Sequence, residues 1–95
     1  MVRILEVNDK TGRTIYLTDE RYQHIKKHPE MQNNIVIIEQ AIKNPIKIKN
    51  YSLDPDIKYY YSYHKDRKLG KYLRVIIKYL NGEGFVITAY FVADI

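Results

Sequence analysis

The chain contains no cysteine and no tryptophan. Without cysteine there is no disulfide framework, no thiol nucleophile and no thiolate metal site. Prolines number three and glycines four in 95 residues, so no linker or low-complexity segment divides the sequence. No apolar run approaches the roughly 18 residues that a membrane-spanning helix needs, and the opening MVRILEVNDK has no secretion-signal pattern. The expectation is a soluble cytoplasmic protein with no membrane partner. Neither a P-loop nor a G-x-G-x-x-G run occurs. The one glycine-rich stretch, Asn81-Gly82-Glu83-Gly84, reads as a hairpin turn.

What is present describes one globular domain over residues 1–95, with 45% hydrophobic and 28% charged residues. A chain this short buries about 60–65% of its unfolded surface, enough for one modest core. Its net charge of +5 favours anionic partners, nucleic acid first. Ten tyrosines supply groups that pack, hydrogen-bond and stack on bases.

The chain is organised around residues 71–95, which read as two strands alternating across a sheet. Leu73, Val75, Ile77 and Tyr79 form one row of the first strand; Tyr72, Arg74, Ile76 and Lys78 form the other. In the second strand the apolar row is Phe85, Ile87, Ala89 and Phe91. For the two apolar rows to share the core, paired residue numbers must sum to an even value. Arg74 and Lys78 then share a face with Thr88 and Tyr90. Upstream, residues 2–7 and 13–17 read as a hairpin closed by turn chemistry at 8–12. Thr18 suits a helix N-cap, with Asp19 and Glu20 at the positive helix start, and that helix runs to about His28 before Pro29. A second helix, from Pro29 or Glu30 to Lys43, carries the stripe Met31, Ile35, Ile38, Ile42. Residues 46–51 and 57–64 read as strands, the latter with Tyr59, Tyr61 and Tyr63 on one side and Tyr60 on the other. Short links between successive strands favour an antiparallel meander. The expected fold is α+β: an N-terminal β-hairpin and two helices packed on a four-stranded antiparallel sheet.

The polar residues with chemical potential are few. His24 and His28 stand four apart on one helix face, near Arg21 and Lys27. The pair is open to a metal, a structural and an acid–base reading. The intervening Ile25-Lys26-Lys27 lacks the glutamate of a zinc motif, so no metal and no cofactor is assigned. Histidine exchanges protons near neutrality, and with Arg or Lys and Tyr or Thr it fits metal-free RNA cleavage. That reaction needs a base for the ribose 2′-OH, cations around the phosphate and an acid for the leaving 5′-oxygen. His64, ending the Tyr-rich strand, reads either as solvated or as a second acid–base residue.

The run 18–31 (TDERYQHIKKHPEM) resembles the opening of the phage-type branch of the barnase–EndoU–colicin–RelE nuclease superfamily. So do AIKNP at 41–45, the Tyr-rich strand, LRVIIKY at 73–79 and GFVITAY at 84–90. In order, these pieces extend over most of the chain, roughly residues 14–92. The resemblance implies a helical segment followed by a four-stranded antiparallel sheet, and metal-independent ribonuclease activity in a toxin or phage-associated domain. It implies a site made by a helix histidine, a basic strand residue and a hydroxyl residue of the last strand. Those roles fall on His24 or His28, on Arg74 supported by Lys78, and on Thr88 with Tyr90. Substrate contacts fall to Arg21, Lys27, Lys78, Tyr61 and His64. The partner would be RNA, with tRNA and mRNA as candidates, and an antitoxin or immunity protein a further candidate. Two other classes explain the charge and tyrosines: a non-catalytic nucleic-acid-binding module, and a protein-interaction module of a toxin–antitoxin-like pair.

Overall fold

A computed structural model describes residues 2–32 and 34–95. Among them the elements run β1 (Arg3–Asn8), β2 (Thr14–Thr18), α1 (Asp19–Ile25), a 3₁₀ turn (Pro29–Met31), α2 (Ile35–Lys43), β3 (Lys47–Asn50), β4 (Ile57–Tyr63), β5 (Tyr72–Leu80) and β6 (Glu83–Val92). The class is α+β, as expected. The sheet differs from expectation: it has six strands, in the order β1-β2-β6-β5-β4-β3. The meander β3–β6 is antiparallel throughout, but the N-terminal hairpin joins it by a parallel pairing of β2 with β6, Ile15 opposite Gly84 and Tyr16 opposite Phe85. The physical reason lies in the hairpin itself. An isolated two-stranded hairpin is marginal, and Val7, Ile15 and Leu17 need apolar cover. Docking on the β6 edge buries all three and satisfies part of that edge.

α2 lies on one face of the sheet against β1, β4 and β5, and α1 runs beside β6 and β2 with Ile25 turned into the core. Ile25, Met31, Ile38 and Ile42 join Leu73, Val75 and Ile77 in a single core. Thr18 caps α1 as its sequence suggests, its Oγ1 accepting the Arg21 backbone N–H at 3.2 Å. The helix then ends at Ile25, three residues earlier than expected, and tightens into turns through Lys27 N–H to His24 O and His28 N–H to Ile25 O. Pro29 sets this end, because the residue before proline is pushed out of the α region; His28 is accordingly extended (φ −79°, ψ 114°). The expected second helix also divides, into the 3₁₀ turn at Pro29–Met31 and α2 from Ile35. Asn33, within that span, lies outside the described residues.

The β5–β6 hairpin turns on two residues, Asn81 and Gly82, with φ of 57° and 82°, so Glu83 and Gly84 belong to the strand. Positive φ at both positions is the type I′ geometry that matches the twist of a hairpin, and Asn-Gly adopts it at little cost. The even-sum register holds from Tyr72↔Val92 to Ile76↔Thr88, then fails from Ile77↔Val86 to Leu80↔Glu83. A β-bulge at Ile87 intervenes. It turns Val86 and Gly84 to the core and Phe85 to the opposite face, contrary to the alternation read from sequence.

A buried polar chain ties the β1–β2 turn to the meander. The Asp9 side chain is 2% exposed. Its Oδ1 accepts from Thr11 N–H, Thr11 Oγ1 and Arg13 N–H, and its Oδ2 accepts from Tyr79 Oη at 2.9 Å. Tyr79 has spent its one hydroxyl hydrogen on Asp9, so Tyr60 Oη donates to it at 2.6 Å. Burial alone would raise the Asp9 pKa; the hydrogen bonds from Thr11, Tyr79 and Arg13 outweigh it and hold the carboxyl below its usual range.

Candidate functional site

The sheet face opposite the core is laid out in rows by strand register. One row runs Lys47, Tyr61, Arg74, Tyr90; the next runs Lys49, Tyr59, Ile76, Thr88. Beyond the first lie Tyr63, Tyr72 and Val92, and beyond the second Ile57, Lys78 and Phe85. Aromatic rings and cations alternate across a surface that the core does not use.

Arg74 is central to it. Its Nε donates to Tyr61 Oη at 3.0 Å and its Nη1 to Tyr90 Oη at 3.2 Å. The guanidinium carbon lies 5.1 Å from the Tyr59 ring centroid, 5.5 Å from that of Tyr61 and 5.7 Å from that of Tyr90. Both side-chain acceptors are neutral phenols. By contrast Arg3, Arg13, Lys43 and Lys78 each face a carboxylate. Burial alone would lower the Arg74 pKa, but the acceptors Tyr90 and Tyr61 outweigh it and raise it. Arg74 is thus a half-buried, oriented cation with three N–H groups left to offer a ligand.

The register brings Thr88 to this face and the α1 exit brings His28. The His28 ring lies 5.8 Å from the Tyr90 ring, tilted at 38°. Pro29 is what turns His28 out of the helix. His24, in the last turn of α1, is exposed, as is Lys27 in the turn that follows; because the helix ends at Ile25 and His28 is extended, the two histidines do not share a helix face as the sequence suggested. Arg21, three residues before His24, lines a cavity of about 360 Å³ together with Tyr16, Thr18, Glu20, Phe85 and Val86. The cavity opens where β2 leaves β6 and turns into α1. Arg74, Tyr90 and His28 are therefore joined by contacts, Thr88 shares their sheet face in the neighbouring row, and Arg21 stands apart at the cavity.

Three sequence candidates sit differently. Lys78 shares the face, but its Nζ donates to Asp54 Oδ2 at 3.2 Å, which offsets its charge. Tyr61 is 1% exposed; its ring has no face open to a base, and its role here is to hold Arg74. His64 stands on the core side of the sheet, its Nε2 3.0 Å from Ser62 Oγ and its ring edge-on to Phe91 at 5.2 Å. Burial, then the Arg67 cation, lowers its pKa. That position separates it from Arg74 by the thickness of the sheet.

Residues that the sequence did not mark as site candidates also belong to this face. Tyr16 and Phe85, 6.1 Å apart, wall the cavity, and Lys47 and Lys49 edge the tyrosine rows. The lysine alternation at 47 and 49 is visible locally; the Tyr16–Phe85 pair is not, since it depends on the parallel β2–β6 contact and the bulge. Among the described residues no three of His, Asp or Glu gather as a metal-ligating group, and no helix is long and apolar enough to cross a membrane. Comparison with family models, curated proteins and solved structures finds no match.

Proposed function

We propose that this protein is a metal-independent endoribonuclease that cleaves RNA by transesterification. The observation that carries the reading is Arg74: a cation oriented by two phenols, facing no carboxylate among the described residues, with a histidine ring against one of those phenols. A planar guanidinium with free donors matches a phosphate bidentately. The ordered resemblance across residues 14–92 adds support, because its motifs supply these same residues.

In the proposed reaction the RNA 2′-oxygen bonds to phosphorus and the P–O5′ bond breaks. His28 and His24 form the acid–base pair, one taking the 2′-OH proton and the other delivering a proton to the 5′-oxygen. Arg74 stabilises the charge that builds on the phosphoryl oxygens. Thr88 and Tyr90 orient the phosphate or His28, and Arg21 and Lys27 add positive charge around the substrate. The products carry a 2′,3′-cyclic phosphate and a free 5′-OH. The same reading makes RNA the partner and the cytoplasm the compartment, and extends to a toxin or phage-associated role.

The test is cleavage of a defined RNA in EDTA. Activity should persist, cyclic phosphate ends should accumulate, and a strand with 2′-deoxyribose at the scissile position should bind yet stay intact. His28→Ala should lower the rate by about 10²-fold or more while leaving affinity for the deoxy strand nearly unchanged. Cutting of the deoxy strand, or activity only with added divalent metal, would sink the mechanism. Binding without cleavage would leave a nucleic-acid-binding module in its place.

A further inference from the structure

Two aromatic pairs flank Arg74 along the strand direction. On one side, Tyr59 is stacked on Tyr51 at 5.8 Å and 22°. On the other, Tyr63 leans on Tyr72 at 5.3 Å and 49°, and Tyr63 is 49% exposed. Tyr59, Tyr61 and Tyr63 share one face of β4, and Tyr61 lies directly opposite Arg74. Each pair therefore lies two residues from the Arg74 row, about 7 Å at 3.3 Å per residue. Lys47 and Lys49, both exposed, edge the same face from β3.

We infer that this face takes single-stranded RNA, with the nucleotides either side of the Arg74-bound phosphate splayed apart, one base stacked on the Tyr51–Tyr59 pair and the other on the Tyr63–Tyr72 pair. The inference rests on the ribonuclease reading for the phosphate at Arg74 and adds the form of the substrate. Spacing is the reason. The two aromatic stations stand about 13 Å apart along β4, whereas consecutive bases in a stacked duplex strand are about 3.4 Å apart. A duplex cannot reach both stations around one phosphate, and an unpaired strand can. Stacking on a tyrosine ring reads the π-face that every base shares, so this recognition selects unpaired nucleotides rather than a base sequence. Lys47 and Lys49 match the backbone charge at the edge of the track. The splay also serves the chemistry, because the 2′-OH must swing into line with the P–O5′ bond, which continuous stacking opposes.

The experiment measures binding of a labelled RNA that carries 2′-deoxyribose at the scissile position, as a single strand and as its duplex. In parallel, a cleavable hairpin RNA is mapped for cut sites. The single strand should bind about tenfold or more tighter than the duplex, and cuts should fall in the loop. Tyr63→Leu should weaken single-strand binding by about tenfold, while Tyr63→Phe, which keeps the ring, should match the parent; melting temperatures of both variants check the fold. Equal or tighter binding of the duplex, single-strand binding by Tyr63→Leu equal to the parent's, or no binding of either RNA would overturn the inference. If single strands bind selectively but no RNA is cut, the nuclease reading falls and the single-strand track stands. If duplex and loop are cut equally, the track falls and the nuclease reading stands.

Discussion

Arg74 shows how much one side chain owes to its neighbours. Two phenols hold the Nε and Nη1 edges of the guanidinium, so its remaining donors are aimed before any ligand arrives. Lysine in that place would offer a point charge on a flexible stem and leave Tyr61, already buried, short of its partner. Arg74→Lys is expected to lower RNA cleavage by about 10–100-fold and to cost about 1 kcal/mol of stability. Rates measured beside melting temperatures check this; an unchanged rate would demote Arg74 to a structural cation. Asp9 is the counterpart on the other face. Its native pKa is depressed, so the native state binds fewer protons than the unfolded chain near the ordinary value of 3.8. The stabilisation is therefore present above that value and disappears as pH falls through the native one. Asp9→Asn should destabilise the protein by about 1–3 kcal/mol at neutral pH. In denaturant titrations repeated at several pH values, the gap between parent and variant should narrow as pH falls below 3.8.

At the scale of elements, the joint between the hairpin and the meander is closely packed around Gly84. A Cβ on Gly84 would stand 3.0 Å from Tyr79 Cε1 and 3.1 Å from both Ile15 Cγ1 and Ile77 Cγ2. Those atoms surround a core residue and belong to both the hairpin and the meander, so none can yield alone. Gly84→Ala should destabilise by about 1–3 kcal/mol through overpacking, read as a lower denaturant midpoint. Because Gly84 pairs with Ile15 in the parallel β2–β6 contact, faster hydrogen exchange in β2 should accompany the destabilisation. An unchanged midpoint would mean that the hairpin docks more loosely than this geometry requires. The bulge at Ile87 belongs to the same joint: it turns Phe85 outward to meet Tyr16 while Val86 turns in.

The whole molecule segregates its chemistry by face. The core and α2 occupy one side of the sheet, and the cation–tyrosine rows occupy the other, where His28 meets Tyr90 from the end of α1. With a net charge of +5 and Lys47 and Lys49 on the same face as Arg74, binding of RNA should fall steeply with salt. The logarithm of affinity should decline linearly with the logarithm of salt concentration. Replacing both edge lysines, Lys47→Gln with Lys49→Gln, should reduce that slope by about one for each RNA phosphate they neutralise. Melting temperature should hardly change, since both lysines are exposed. An unaltered slope would place the RNA backbone elsewhere on the molecule.

Local information was enough for much of this protein. Alternation set the two faces of β4 and β5, the Thr18 cap set the start of α1, and Asn81-Gly82 located the last hairpin, whereas Pro29 alone placed the end of α1 three residues late. These depend on neighbours a few residues apart, where side-chain period, capping and allowed dihedrals act directly. The assignment of Arg74, Thr88 and Tyr90 to one face follows from the same period. Other features depended on contacts between distant segments. The docking of β2 on β6 joins Ile15 to Gly84, and no local pattern announces which sheet edge a hairpin will cover. The bulge that reverses Phe85 and Val86, and the burial of Tyr61 beneath Arg74, arise only when strands are packed. His28 and His64 make the contrast plain: both are histidines at the ends of elements, yet the extended backbone before Pro29 brings one against Tyr90, while strand parity carries the other to the far side of the sheet.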